Sequence, residues 1–202
     1  MTAAAQKEYD LAVKLLQNAD DSTLQEGLAH LRNAADQGHP KAQYNLGIYL
    51  HEGIGCPSSP KEALPYFQLA SAQGHARATY LLGCYALMGL DGFDPSEEKA
   101  ARFFKLAADK GIDEAQYNLG VLLLEGKGVA KSEEEAVHYF QLAAAQENSA
   151  AQYNLGLCYL KGLGIQESRD LAIKYLELAV KQGHKQAPET LEAILMNTAP
   201  TS

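Results

Sequence analysis

Between residues 40 and 184 apolar and small residues recur in two alternating helical patterns. In the first, Ala42, Leu46, Gly47 and Leu50 follow the i, i+4, i+8 spacing of one helical face. Gly53 and Gly55 end it. In the second, Ala63, Leu64, Tyr66, Phe67, Leu69 and Ala70 form an apolar stripe that returns as Ala136, Val137, Tyr139, Phe140, Leu142 and Ala143. It stops at Gln73-Gly74-His75, echoed by Gln37-Gly38-His39 and Gln182-Gly183-His184, where Gly takes a left-handed cap without steric cost. Glu147-Asn148 stands in the third copy, and Asn is expected to carry that conformation.

Each second helix is predicted to start at a serine: Ser59, Ser96, Ser132 and Ser168. A serine oxygen there accepts an orphan N–H of the first turn. Glu62 and Glu135, three residues on, are expected to complete capping boxes, and Pro60 suits the first helical position. His39, His75 and His184 recur at the turns, one or more periods apart, so they are strung along an edge as turn-packing or capping residues and do not converge on a metal.

The units are copies. Ala42-Gln43-Tyr44-Asn45-Leu46-Gly47 recurs as Ala78-Thr79-Tyr80-Leu81-Leu82-Gly83, Ala115-Gln116-Tyr117-Asn118-Leu119-Gly120 and Ala151-Gln152-Tyr153-Asn154-Leu155-Gly156. Self-similarity at this period predicts an all-α solenoid of helix-turn-helix repeats. Repeats are expected at 40–75, 76–112, 113–148 and 149–184. Residues 1–39 read as an N-terminal capping helix pair, helices from about 3 to 18 and 22 to 37, and 185–202 as a C-terminal capping helix with a polar tail, all one continuous domain. Gly47, Gly83, Gly120 and Gly156 are placed where the two helices of a unit approach closely, with Ala70, Ala107, Ala143 and Ala179 opposite.

The net charge of -8 opposes phosphate backbones and acidic membrane surfaces. Nucleic acid is therefore not an expected partner, and RNA binding by the helical repeats ranks last among the readings. No apolar run reaches the roughly 18 residues of a membrane span, and the first ten residues lack the order of a secretory signal. A soluble, cytoplasmic protein is expected, although a chain whose signal had been removed would read the same.

No H-E-x-x-H or paired C-x-x-C is present, so neither metal nor cofactor is expected. Cys56, Cys84 and Cys158 are expected to be free thiols: Cys84 and Cys158 lie two repeats apart, beyond the roughly 7 Å a disulfide spans. Ser58-Ser59-Pro60-Lys61 fits S-x-x-K, the nucleophile motif of penicillin-recognising hydrolases, without the companions S-D-N and K-T-G. A hydrolase of that type, or a regulatory subunit of an enzyme, is the alternative reading.

The pattern A-x-x-x-L-G, a further Gly six residues on, and a capped helix ending A-A-x-x-G resembles the Sel-one-like repeat family, a variant of the tetratricopeptide helix hairpin. The resemblance implies a right-handed superhelix with a concave groove lined by the first helices, and an adaptor that binds proteins or peptides. The cysteines set this chain apart from members that staple each repeat with a disulfide.

If Leu46 and Leu50 point inward, Tyr44, Asn45, Ile48 and Glu52 lie on an adjacent face. Stacked repeats then form rows: Tyr44, Tyr80, Tyr117 and Tyr153; Asn45, Asn118 and Asn154, with Leu81 or Leu82 in the second copy; and Ile48, Val121 and Leu157. Amides of such a row can pair with a peptide backbone, and an Asn before Leu-Gly does so in tetratricopeptide clamps. Lys41 and Arg77 are the cations at hand, too few for a terminal-carboxylate clamp. The rows either grip a ligand or pack the repeats together; the expected function is an adaptor or scaffold holding a peptide or protein segment, with no catalysis.

Overall fold

A computed structural model describes residues 2–17, 20–90 and 94–196. They form α1 (Ala3–Leu16), α2 (Asp21–Asp36), α3 (Pro40–Glu52), α4 (Pro60–Ala72), α5 (Ala76–Met88), α6 (Glu97–Ala108), α7 (Asp113–Glu125), α8 (Glu133–Ala145), α9 (Ser149–Lys161), α10 (Arg169–Lys181) and α11 (Ala187–Met196). No strand occurs among the described residues. Two compact units, Met1–Phe103 and Phe104–Ser202, divide within α6.

In the first unit α1 packs on α2 and α3 on α4, around Leu31, Leu46, Leu50, Phe67, Leu82 and Tyr85. The hairpin crossing is tight because it is built on glycine. A Cβ at Gly47 would stand 2.5 Å from Cε1 of Phe67, a ring with no exposed surface. In the second unit α7 pairs with α8 and α9 with α10. The same device recurs there: Cβ atoms at Gly120 and Gly156 would lie 2.6 Å from Phe140 Cε1 and 3.0 Å from Leu176 Cγ. Ala70, Ala107, Ala143 and Ala179 are fully buried.

The caps differ by helix type. First helices end on left-handed glycines, Gly53, Gly89, Gly126 and Gly162, whose N–H groups return to the preceding turn. They start on side chains of the turn before: His39 and His75 accept from Ala42 and Ala78 through Nδ1, and Asn148 accepts from Ala151 through Oδ1. Ile112, in the same place before α7, has no side chain able to accept. Second helices are capped by Ser132 and Ser168, whose hydroxyls accept from Glu135 and Leu171, while Ser96 accepts from Lys99.

Three local expectations are corrected. Ser59 occupies the N-cap position of α4 but makes no side-chain capping bond, so no capping box forms with Glu62; its ψ of 80° differs from the 107° and 106° of Ser132 and Ser168. In the third repeat the left-handed residue is Glu147, at φ 64°, and Asn148, at φ -64°, is the next N-cap. The second N-terminal helix starts at Asp21, one residue early, because the Asp20 carboxylate accepts the Thr23 N–H at 2.9 Å and sets the cap.

The C-terminal helix α11 packs against α10. Ala187 and Ile194 are buried with Leu176 and Ala179, and the Arg169 guanidinium donates to the Ile194 carbonyl. α3 and α5 begin on the residue after their capping histidine, whereas Lys185 and Gln186 intervene between His184 and α11. The expected polar tail, Asn197 to Ser202, lies outside the described residues.

Candidate functional site

The expected site residues of the first helices, Arg77 excepted, share one degree of burial. Tyr44, Asn45 and Ile48 in α3, Tyr80 in α5, Tyr117, Asn118 and Val121 in α7, and Tyr153, Asn154 and Leu157 in α9 are all half-buried, and Arg77 is exposed. In α5, Leu81 is half-buried and Leu82 buried, so Leu81 takes the place that Asn holds in the other copies. The helical period accounts for this. With Ala42, Leu46 and Leu50 buried, positions one residue before Leu46 and two after it fall at the margin of the apolar stripe.

Tyr44, Tyr117 and Tyr153 lie against other rings. Tyr44 stacks on His75, ring centroids 4.4 Å apart, and Tyr153 on His184 at 4.3 Å. Tyr117 lies against Phe140 at 6.2 Å. The sequence reading missed that Tyr9 in α1 belongs to the same scheme, stacked on His39 at 4.3 Å. The pairs Tyr9 with His39 and Tyr44 with His75 share one spacing to within a residue, and that is the signal by which Tyr9 is recognisable.

The asparagines divide. Asn45 donates through Nδ2 to the Tyr9 hydroxyl at 3.4 Å, tying it to α1. Asn118 and Asn154, in the second unit, have no side-chain hydrogen bond among the described residues. Val121 and Leu157 stand one turn further along the same helix faces. Next along each face come Glu125, paired with Lys127 at 2.8 Å, and the exposed Lys161.

The buried polar contacts belong to a residue type the sequence reading passed over. Gln43, Gln116 and Gln152 are 2 to 4 % exposed. Each donates to a carbonyl ending the preceding second helix, at Ala35, Ala108 and Ala144. Gln43 and Gln116 also accept from Gln73 and Gln146. The recurrence of Gln in three of the four copied blocks, beside a buried Ala, was the available signal; the Gln43 and Gln116 amides are satisfied on both sides, while the Gln152 oxygen is buried without a partner among the described residues.

The S-x-x-K segment is arranged as a loop-to-helix connection. Ser58 Oγ donates to the His51 carbonyl at 2.6 Å, the Ser59 N–H donates to Leu50, and Lys61 is exposed on the first turn of α4. No group of three or more His, Cys, Asp or Glu among the described residues is placed to hold a metal ion. None of the three cysteines is disulfide-bonded, and burial pushes the Cys158 thiol up to about 11. No described helix is long and apolar enough to cross a membrane.

Copied hairpins, glycine crossings and amide-bonded junctions define a helical-hairpin repeat protein of the solenoid class. The Sel1 repeat pattern matches residues 24–39, 40–75, 76–112, 113–148 and 149–184, and the chain belongs to the Sel1 repeat family. The first match places a partial repeat on α2, within the segment read from sequence as a capping pair.

Among solved structures the chain is similar to a Sel1 repeat protein from Oxalobacter formigenes, with a TM-score of 0.82 and 26% identity over 94% of this chain and 78% of that one. It is also similar to c5321, a protective antigen of uropathogenic Escherichia coli with an SLR fold: TM-score 0.80, 32% identity, 84% of this chain and 36% of that one. A 95-residue stretch is 55% identical to the mouse DAP3-binding cell death enhancer 1, covering 46% of this chain and 19% of that protein. The match thus spans about a fifth of that relative's length.

Proposed function

We propose that this protein is an adaptor whose first-helix face binds a peptide or protein segment, without catalysing a reaction. The observation that supports it is the pair Asn118 and Asn154. They are half-buried, one repeat apart, and without side-chain hydrogen-bond partners among the described residues, while Asn45 is used internally. An amide offers both a donor and an acceptor, as a peptide unit requires, and Val121 and Leu157 supply apolar surface one turn away. In the first unit Tyr44, Asn45, Ile48, Arg77 and Tyr80 form the corresponding face, and in the second Tyr117 and Tyr153 flank the two amides. Membership of a repeat family built from stacked hairpins supports a macromolecular ligand, and so does a relative named for binding another protein. The acidic balance favours basic or neutral partners, within a soluble, cytoplasmic setting.

Panning a displayed peptide library against the intact protein tests the reading. Selected peptides should shift the side-chain amide NMR signals of Asn118 and Asn154, and the double substitution Asn118→Ala, Asn154→Ala should abolish binding with its melting curve unchanged. Peptides that bind the double variant as well as the parent overturn the assignment.

A further inference from the structure

Two repeat junctions of the first unit are built on an imidazole. His39 is 2 % exposed; its Nδ1 accepts the Ala42 backbone N–H at 3.2 Å, its Nε2 lies 3.2 Å from Gln6 Oε1, and Tyr9 covers its face. An N–H aimed at Nδ1 and a carbonyl oxygen at Nε2 require the neutral ring with its proton on Nε2. His75 repeats the arrangement, Nδ1 3.3 Å from the Ala78 nitrogen and the ring stacked on Tyr44. In the second unit the same position before α9 is held by Asn148, whose Oδ1 accepts from Ala151 at 3.0 Å and whose Nδ2 donates to Asp113 at 2.9 Å. An amide caps a helix equally well and does not titrate.

We infer that acidification opens the His39 and His75 junctions of the first unit while the Asn148 junction of the second stays closed, making one part of the chain a pH-responsive element. Protonated Nδ1 presents a donor to a backbone donor, and a cation at a helix N-terminus opposes the helix dipole. Burial, the largest cause, holds His39 below the ordinary histidine value; Lys41 on α3 pushes the same way and Asp10 on α1 opposes it. The neutral cap is therefore complete above the unfolded value of about 6.5 and is lost as pH falls through the lower folded value. Arg77, two residues beyond His75, adds positive charge to that helix start. His30, beside Glu8 at 2.7 Å, and His51, 2.7 Å from the Tyr85 hydroxyl, cap no helix.

Two carboxyls stand at the Asn148 junction: Asp113, which accepts from Asn148, and Glu114 beside it. Burial pushes the Asp113 carboxyl up, but hydrogen bonds from Asn148 and Glu114 outweigh it, leaving it below its ordinary value and ionised at mildly acidic pH. α9 is the internal reference because its capping group, the Asn148 amide, does not itself titrate. α11 is not, because burial also pushes its neighbour His184 down.

Hydrogen exchange of the intact protein at pH 7.5 and 5.0, corrected for the intrinsic pH dependence of exchange, tests the device. Protection at the starts of α3 and α5 should fall on the order of fivefold at the lower pH, the worth of one lost N-cap, with α9 unchanged. The variant His39→Asn, His75→Asn, carrying the cap that Asn148 already uses, should hold its protection at both values. If that variant does not fold, each single substitution should remove the fall at its own helix alone. An equal fall at α3, α5 and α9, no fall at all, or a fall that persists in the Asn variants overturns the inference.

Discussion

Tyr44 of one hairpin lies flat on His75 at the start of the next, ring centroids 4.4 Å apart and planes inclined by 24°. The contact joins a first-helix face to the cap of the following first helix, because His75 accepts the Ala78 N–H with the ring that Tyr44 covers. Tyr44 also touches Phe67 at 6.2 Å. Tyr44→Ala should therefore destabilise the protein by about 1 to 3 kcal/mol, whereas Tyr44→Phe, which keeps the stack, should stay within about 0.5 kcal/mol. Urea unfolding of the two variants measures the difference; equal losses would show that the hydroxyl matters more than the ring.

Helix propensity and packing make opposite predictions for Gly120. Alanine gains about 1 kcal/mol over glycine inside a helix. Its Cβ, however, would stand 2.6 Å from Phe140 Cε1 and 3.2 Å from the Ala136 carbonyl. Overpacking of this kind costs about 1 to 3 kcal/mol, so Gly120→Ala should lower the melting temperature and Gly120→Leu should lower it further. Gly156→Ala, at 3.0 Å from a leucine, should be milder. A more stable Gly120→Ala would contradict the tight crossing.

Glu147 is the one described non-glycine residue with positive φ, at 64°, in a place where Gly38, Gly74, Gly111 and Gly183 stand in the other repeats. A left-handed L-residue costs about 1 to 2 kcal/mol, part of which the added chain entropy of glycine cancels. Glu147→Gly should raise stability by about 0.5 to 1 kcal/mol in denaturant titration. Gly111→Ala, with no atom near the new Cβ, should lose a comparable amount from backbone strain alone.

Cys158 is 1 % exposed and its thiol is pushed up to about 11, first by burial and then by the Glu133 carboxylate. The thiolate is the reactive form, so Cys158 should resist a disulfide reagent at pH 8 that labels the half-buried Cys56. Mass spectrometry of the labelled protein identifies the sites. Labelling of Cys158 should appear only with unfolding, and early modification there would contradict its burial.

Much of the candidate face was legible because the helical period acts residue by residue. Once Leu46 is inside, Asn45 and Ile48 must lie at the stripe margin, and Asn118, Val121, Asn154 and Leu157 follow by copying. What each does there was not legible. Asn45 reaches Tyr9, 36 positions away, while Asn118 and Asn154 find no such partner, and nothing local to the three asparagines distinguishes them. The caps show the same division. Ser132 and Ser59 look alike in sequence, yet only Ser132 accepts a first-turn N–H, and the two differ in ψ, 107° against 80°, at nearly equal φ.

By itself the sequence determined the all-α class, the hairpin period, the glycine crossings and the margin on which the candidate binding residues sit. These depend on spacing along one chain, and spacing is written in the order of residues. Only the tertiary structure decided that Gln43 and Gln116 bridge hairpins, that His39 and His75 cap helices beneath Tyr9 and Tyr44, and that two asparagines keep their amides available. Those outcomes depend on which groups from separate helices meet at hydrogen-bonding distance, and a displacement of about one ångström, invisible in any pattern, makes or breaks each one.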